Sequence, residues 1–180
     1  MARSLLLSLL VRQHLALKEK FRARYPHYWL VWESGAWNVP EGGEQNHGAT
    51  RLPNDELSDC LPAGDAMCFE LNPGKDLLEI GRASHNAFVI NDATVSREHL
   101  VLRARADGGW AVEARPQSGP ALLEGQRLTP GQLHPLETGM HLQLGDVRLT
   151  FHDADSFHQR MADTAQLMLA NQRGGQSRPA

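Results

Sequence analysis

What this 180-residue chain lacks narrows what it can be. It has two cysteines, Cys60 and Cys68, too few for a disulfide framework and without the partners of a four-ligand zinc site. Both read as ordinary thiols of a reducing compartment, which points to the cytoplasm. No apolar run reaches the length of a membrane-spanning helix, so no integral span is expected. Ser4–Val11 follows Arg3 as the core of an export signal would, yet it is short, it stops at Arg12, and no small-residue cleavage motif follows. The formal charge is -3, whereas a general nucleic-acid binder carries a strong basic excess, so no nucleic-acid partner is expected. Lysine is scarce, with Lys18, Lys20 and Lys75 beside many arginines, a bias that suits a GC-rich bacterial source. Catalytic signatures are missing too. There is no Gly-x-Ser-x-Gly, Gly74-Lys75 lacks the upstream glycine of a nucleotide-phosphate loop because Phe69 stands there, and the histidines fall at no ligand-like spacing. No catalytic residue, metal or cofactor is expected.

Charge is unevenly spread. Residues 1–24 hold six basic side chains against Glu19, while 41–76 hold eight acids against Arg51 and Lys75. Residues 4–23 contain no glycine or proline and place Leu6, Leu9, Leu10, Leu17 and Phe21 roughly on one face, which predicts a helix. That helix packs on its own domain or on a second copy, giving a homo-oligomer, or lies on a membrane surface. Pro26 ends it, and Tyr28–Trp32 reads as a short strand that docks on the core, closing an N-terminal unit over 1–37. Residues 38–63 turn to Gly, Pro, Asn and acids without period, the composition of a flexible linker.

From 64 to 153 the pattern changes to short strand candidates at nearly even spacing: 66–71, 76–80, 88–90, 99–103, 110–114, 140–144 and 146–152. Turn-formers such as Asp107-Gly108-Gly109 and Thr129-Pro130-Gly131 separate them. Val147, Leu149 and Phe151 alternate with Arg148, Thr150 and His152, as in a strand with one buried face. Many short strands without intervening helices predict a mostly β, antiparallel sandwich with flanking N- and C-terminal helices. The second helix is placed at 154–170 and a disordered tail at 171–180.

Two loops carry the chemistry. Gly81-Arg82-Ala83-Ser84 and Asn91 to His99 sit at the ends of apolar runs, so Arg82 and Ser96-Arg97 fall at strand ends. Guanidinium, hydroxyl and backbone N–H groups on loops held by a stiff sheet can hold a phosphate. The plainer reading of each residue also stands: Arg82 bridging two loops, Ser96 capping its own turn, and His99 buried with one ring nitrogen on a loop carbonyl.

Taken together, Gly81-Arg82, an apolar core, then Asp92-x-x-Val95-Ser96-Arg97-x-His99-Leu100 resemble the forkhead-associated domain, a phosphothreonine-recognising sandwich of the FHA/SMAD-like type. The resemblance continues through Gly125, Leu128 and Leu133-x-x-Leu136-x-x-Gly139-x-x-Leu142-x-Leu144-Gly145-x-x-x-Leu149-x-Phe151, covering about residues 64–153. It implies that Arg82 holds phosphopeptide backbone or phosphate, that Ser96 bonds the phosphate, that Arg97 and Ser84 assist, and that Gly81 and His99 brace the loops. The implied function is non-catalytic binding of a phosphothreonine-containing protein, a Ser/Thr kinase substrate, in a bacterial signalling or assembly pathway. One departure stands out. The family's asparagine that pins the peptide beside the phosphothreonine falls on Gly119, so the resemblance puts Gly119 and Ser118 on the phosphopeptide-binding side, with Ser118 or Gln117 as the side chain to take the asparagine's part, and its second asparagine falls on Glu124. The alternative is therefore a degenerate scaffold that binds or oligomerises without phosphate.

Overall fold

The computed structural model describes residues 3–33, 66–71 and 74–175, with side chains to 170. The expected linker, Cys60 within it, and the last five residues of the expected tail lie outside the described residues.

Five strands form sheet B: β4 (Leu77–Gly81), β5 (Phe88–Val89), β6 (Leu100–Ala104), β7 (Trp110–Ala114) and β10 (His134–Leu136), in the order β10-β7-β6-β4-β5. Seven form sheet A: β1 (Arg3–Leu6), β2 (Tyr28–Trp32), β3 (Met67–Leu71), β8 (Ala121–Leu123), β9 (Gln126–Arg127), β11 (His141–Leu144) and β12 (Val147–His152), in the order β1-β3-β2-β12-β11-β8-β9. Neighbours pair antiparallel except β4 and β5, which run parallel over two residue pairs. The sheets face each other across a core that includes Leu30, Phe69, Ile80, Phe88, Leu102, Trp110, Leu142 and Phe151. This is the antiparallel β-sandwich that the strand pattern predicts.

Three helices, α1 (Leu7–Leu17), α2 (Lys20–Arg24) and α3 (Ala154–Gly175), cover the other face of sheet A. There a second core joins Leu10, Val11, Phe21 and Tyr25 to Trp29, Val31 and Cys68 of the sheet and to Phe157 and Met161 of α3. Trp29 and Phe157 stack with centroids 4.3 Å apart. Along β2, Leu30 points into the sandwich while Trp29 and Val31 point to the helices, so both sides of the strand are buried. That accounts for an unbroken apolar run where a one-faced strand would alternate. Asp153 starts α3 by accepting a hydrogen bond from the Ser156 N–H at 2.7 Å. The helix then continues to Gly175, five residues past the expected end, because no breaker precedes Gly174.

The single helix expected over 4–23 is instead three pieces. Arg3–Leu6 pairs with β3 and covers an edge that would otherwise leave its backbone groups unpaired. At Lys18 the backbone turns to φ 51°, its N–H closing on the His14 carbonyl at 2.9 Å, and α2 turns Phe21 back into the second core. Strands β8, β9 and β10 were not expected. They are two or three residues long, too short for alternation to register, and β10 carries Pro135 on a sheet edge, where proline removes no ladder bond.

Candidate functional site

Register brings three loops to one end of sheet B. Ile80 of β4 pairs with Leu100 of β6, which pairs with Ala114 of β7. The β4–β5, β5–β6 and β7–β8 loops therefore leave the sheet side by side. They are tied to one another mainly through backbone. The Arg82 N–H donates to the Ser96 carbonyl at 2.9 Å, Ala83 N–H to the Arg97 carbonyl at 3.0 Å, and His99 N–H to the Ile80 carbonyl at 2.9 Å. Gly81 permits this approach, since a Cβ there would sit 2.3 Å from the Arg97 carbonyl oxygen.

Ser96 is held from two sides. Its hydroxyl oxygen accepts the Gly119 N–H at 2.8 Å, and its own N–H donates to His99 Nδ1 at 3.0 Å. Because Nδ1 is the acceptor, the proton of a neutral His99 sits on Nε2, which lies 3.3 Å from the Pro120 carbonyl. His99 is fully buried, and burial pushes its pKa below the ordinary imidazole value against the opposing pull of the Pro120 and Gly119 backbone. The ring is thus a neutral strut between two loops. Ser96 in turn has one lone pair occupied by the Gly119 N–H and its hydroxyl proton still to donate.

Arg82 is exposed and rests its Nε 3.3 Å from the Val95 carbonyl, which leaves the Nη groups as donors. Arg97 and Ser84 are exposed as well. Among the described residues, Arg115 pairs with Glu79 and His85 with Glu98, whereas neither Arg82 nor Arg97 has a carboxylate within ion-pair distance. Ser118 is committed to its own turn, with its hydroxyl donating to the Arg115 carbonyl at 2.8 Å. Gly119 lies beside Ser96 and presents backbone only. Glu124, at φ 49° in the tight β8–β9 turn with Gly125, hydrogen-bonds the His141 N–H through its carboxylate. The second asparagine's place is therefore a turn position, where asparagine suits a positive φ.

Sequence reasoning passed over two braces. Asn86 is buried and donates both amide hydrogens, to the Ala83 carbonyl at 2.8 Å and the Arg97 carbonyl at 2.7 Å, pinning the first loop to the second. Thr94 donates to Asp92 from both its N–H and its hydroxyl, at 2.8 and 2.5 Å, while its Oγ1 accepts the Asp146 N–H at 2.9 Å. The Asp92-x-Thr94 spacing of an Asx turn is the one sequence signal that could have revealed the second brace. Among the described residues no group of His, Cys, Asp or Glu could hold a metal ion.

The class these features define is a two-sheet sandwich with a polar, cation-bearing loop cluster at one end, a scaffold for binding. Residues 78–145 match the family model of the FHA domain. Solved structures similar to the chain include EmbR of Mycobacterium tuberculosis in complex with a low-affinity phosphopeptide, at 23% identity and TM-score 0.42, covering 48% of this chain and 21% of that one. The FHA domain of an Arabidopsis thaliana hypothetical protein is 21% identical at TM-score 0.48, covering 71% of this chain and 86% of that one. A Chlamydia trachomatis FHA domain is 16% identical at TM-score 0.47, covering 70% and 97%. No curated protein matches the chain.

Proposed function

We propose that this protein is a non-catalytic binding module for a phosphothreonine-containing protein, read through Arg82, Ser84, Ser96 and Arg97. The observation that carries the reading is the state of Ser96. Its oxygen is anchored by Gly119 and its backbone by His99, so its proton is left to donate on a loop that carries Arg97 and is tied by backbone to Arg82, two arginines that lack ion-pair partners among the described residues. A phosphate brings about two negative charges and three acceptor oxygens, which match those donors. The chain's net charge of -3 leaves attraction to these local cations. We place the partner among substrates of a Ser/Thr kinase in the cytoplasm of a bacterium, in a signalling or assembly pathway. Among the described residues no helix is long and apolar enough to cross a membrane. Fluorescence-polarisation titration with matched phosphothreonine, phosphoserine and unphosphorylated peptides tests the reading. The phosphothreonine peptide binds tightest and Arg82→Ala abolishes the preference; equal affinity for all three, unchanged by Arg82→Ala, refutes it.

Gly119 favours a second reading, in which the sandwich is a phosphate-independent scaffold whose N-terminal segment makes a homo-oligomer through exposed Leu6 at the end of β1 and Leu9 of α1. Since β1 and α1 are built into sheet A and the second core, the clean test is surface substitution. A dimer mass in light scattering that Leu9→Glu reduces to a monomer supports this reading, and a monomer in both forms removes it.

A further inference from the structure

The helical layer lies on the far face of sheet A, away from the loop cluster on sheet B, and it holds a feature the phosphate site does not use. An open groove of about 460 Å³ separates the end of α1 and α2 from the first turns of α3. Leu15 and Ala162 give it apolar lining, Lys18 and Arg22 supply cations, and Glu19 is its acid. Leu15 keeps 43% of its surface exposed. Arg22 meets Asp155 at 3.3 Å, but both side chains are well exposed and such a pair is easily exchanged.

Two further observations point outward. Lys18 holds φ 51° and ψ -123°, a backbone state suited to glycine. The turn itself would be better served by glycine, so the ammonium group is not explained by the fold. Around it, residues 7–24 carry Arg12, Lys18, Lys20, Arg22 and Arg24 against Glu19, in a chain that is acidic as a whole. We propose that this groove docks an acidic peptide segment of a partner protein, with an apolar side chain on Leu15 and Ala162 and flanking carboxylates on Lys18 and Arg22. Charge selects that occupant over a second copy, because the groove holds Lys18 and Arg22 against Glu19 and lies within a segment, 7–24, that carries five cations against one acid, so two copies of it repel. Shape selects it over a bilayer, which meets convex crests, whereas here apolar surface lines a concavity with cations about it.

The test uses the full chain and an end-capped, fluorescein-labelled peptide of leucine and glutamate in helical spacing, without phosphate, so that its result is independent of the Arg82 site. Expected is saturable binding that weakens with added salt, is lost when lysine replaces glutamate in the peptide, and falls at least about tenfold in Lys18→Gly/Arg22→Gln and in Leu15→Glu. Lys18→Gly relieves the backbone at φ 51°, so Lys18→Gly/Arg22→Gln melts no lower than the wild type and its weaker binding cannot be laid to misfolding. The proposal is overturned by absence of binding to the wild-type chain, by equal affinity of wild type and variants, or by equal affinity for the lysine peptide. It is likewise overturned if phosphatidylserine vesicles bind more tightly through the same residues, or if the chain self-associates through them.

Discussion

Gly119 is the position at which the site can be rebuilt. Its φ lies outside the left-handed region, and a Cβ added there would meet Ser96 Oγ at 3.5 Å and His99 Cε1 at 3.7 Å, ordinary contact distances. The backbone therefore does not require glycine, and the Gly119 N–H that anchors Ser96 survives substitution. Gly119→Asn restores a side chain that can both donate to and accept from a peptide backbone. Two such bonds at a net ~0.5–1.5 kcal/mol each amount to roughly 1–3 kcal/mol, or about 5- to 150-fold in affinity. Stability changes little, since removing a glycine restrains the unfolded chain by ~0.4–1 kcal/mol where the native conformation is compatible. The assay is polarisation titration of a phosphothreonine peptide against wild type, Gly119→Asn and Gly119→Ala, with urea melts of each. Alanine controls for the backbone effect and is expected to leave affinity unchanged. If the asparagine variant melts as the wild type does and binds no more tightly than alanine, the reasoning that this position grips the peptide is wrong.

Gly81 behaves oppositely: its Cβ would lie 2.3 Å from the Arg97 carbonyl, so Gly81→Ala separates the first two loops, costs about 1–3 kcal/mol and weakens phosphopeptide binding; native-like urea melts and affinity refute this. Arg160 holds Glu33 by two bonds of 2.6 and 2.7 Å in a half-buried pair, so Arg160→Met destabilises by roughly 1–3 kcal/mol, and adding Glu33→Leu recovers part of the loss in a double-mutant urea series. Burial, with the charge of Arg160 adding to it, lowers His152 to about 4 from an ordinary 6.5. The unfolded chain therefore binds the extra proton first as pH falls: the contribution is whole above pH 6.5 and fades on the way down to about pH 4, by up to ~3 kcal/mol. Urea midpoints that stay flat across that window dispose of the assignment.

The parts of the site legible in the sequence are those whose chemistry is local. Gly81-Arg82 and Ser96-Arg97-x-His99 sit at strand ends marked by flanking apolar runs, and sheet register alone brings them together. The burial of His99 and its carbonyl partner also followed from its apolar neighbours. What stayed hidden are bonds between distant residues. Asn86 reaches the Arg97 carbonyl across 11 positions, and Asp146 donates to Thr94 across 52. Neither of these long-range bonds leaves a local trace, because one end of each is a main-chain group, the Arg97 carbonyl or the Asp146 N–H, of a kind that nearly every residue possesses. The same reasoning covers β1: Arg3–Leu6 has helix-forming composition, but the open edge of β3 offers its backbone a ladder that propensity cannot see.

Sheet A links these observations. Tyr28–Trp32 lies between β3 and β12, pairing with both along its length, so a strand separated from β3 in sequence by more than thirty residues is central in the sheet. Its two faces feed different cores, Leu30 the sandwich and Trp29 and Val31 the helical layer. A helix at this place could satisfy neither neighbouring strand, and a one-faced strand would leave one layer without its cover. The consequence reaches both candidate surfaces. The sandwich core under the loop cluster and the helical core under the groove share β2 and its neighbour β3, which gives Phe69 and Leu71 to the first and Cys68 to the second, so the rigidity that holds Ser96 and the packing that holds Leu15 and Lys18 in position rest on the same pair of strands.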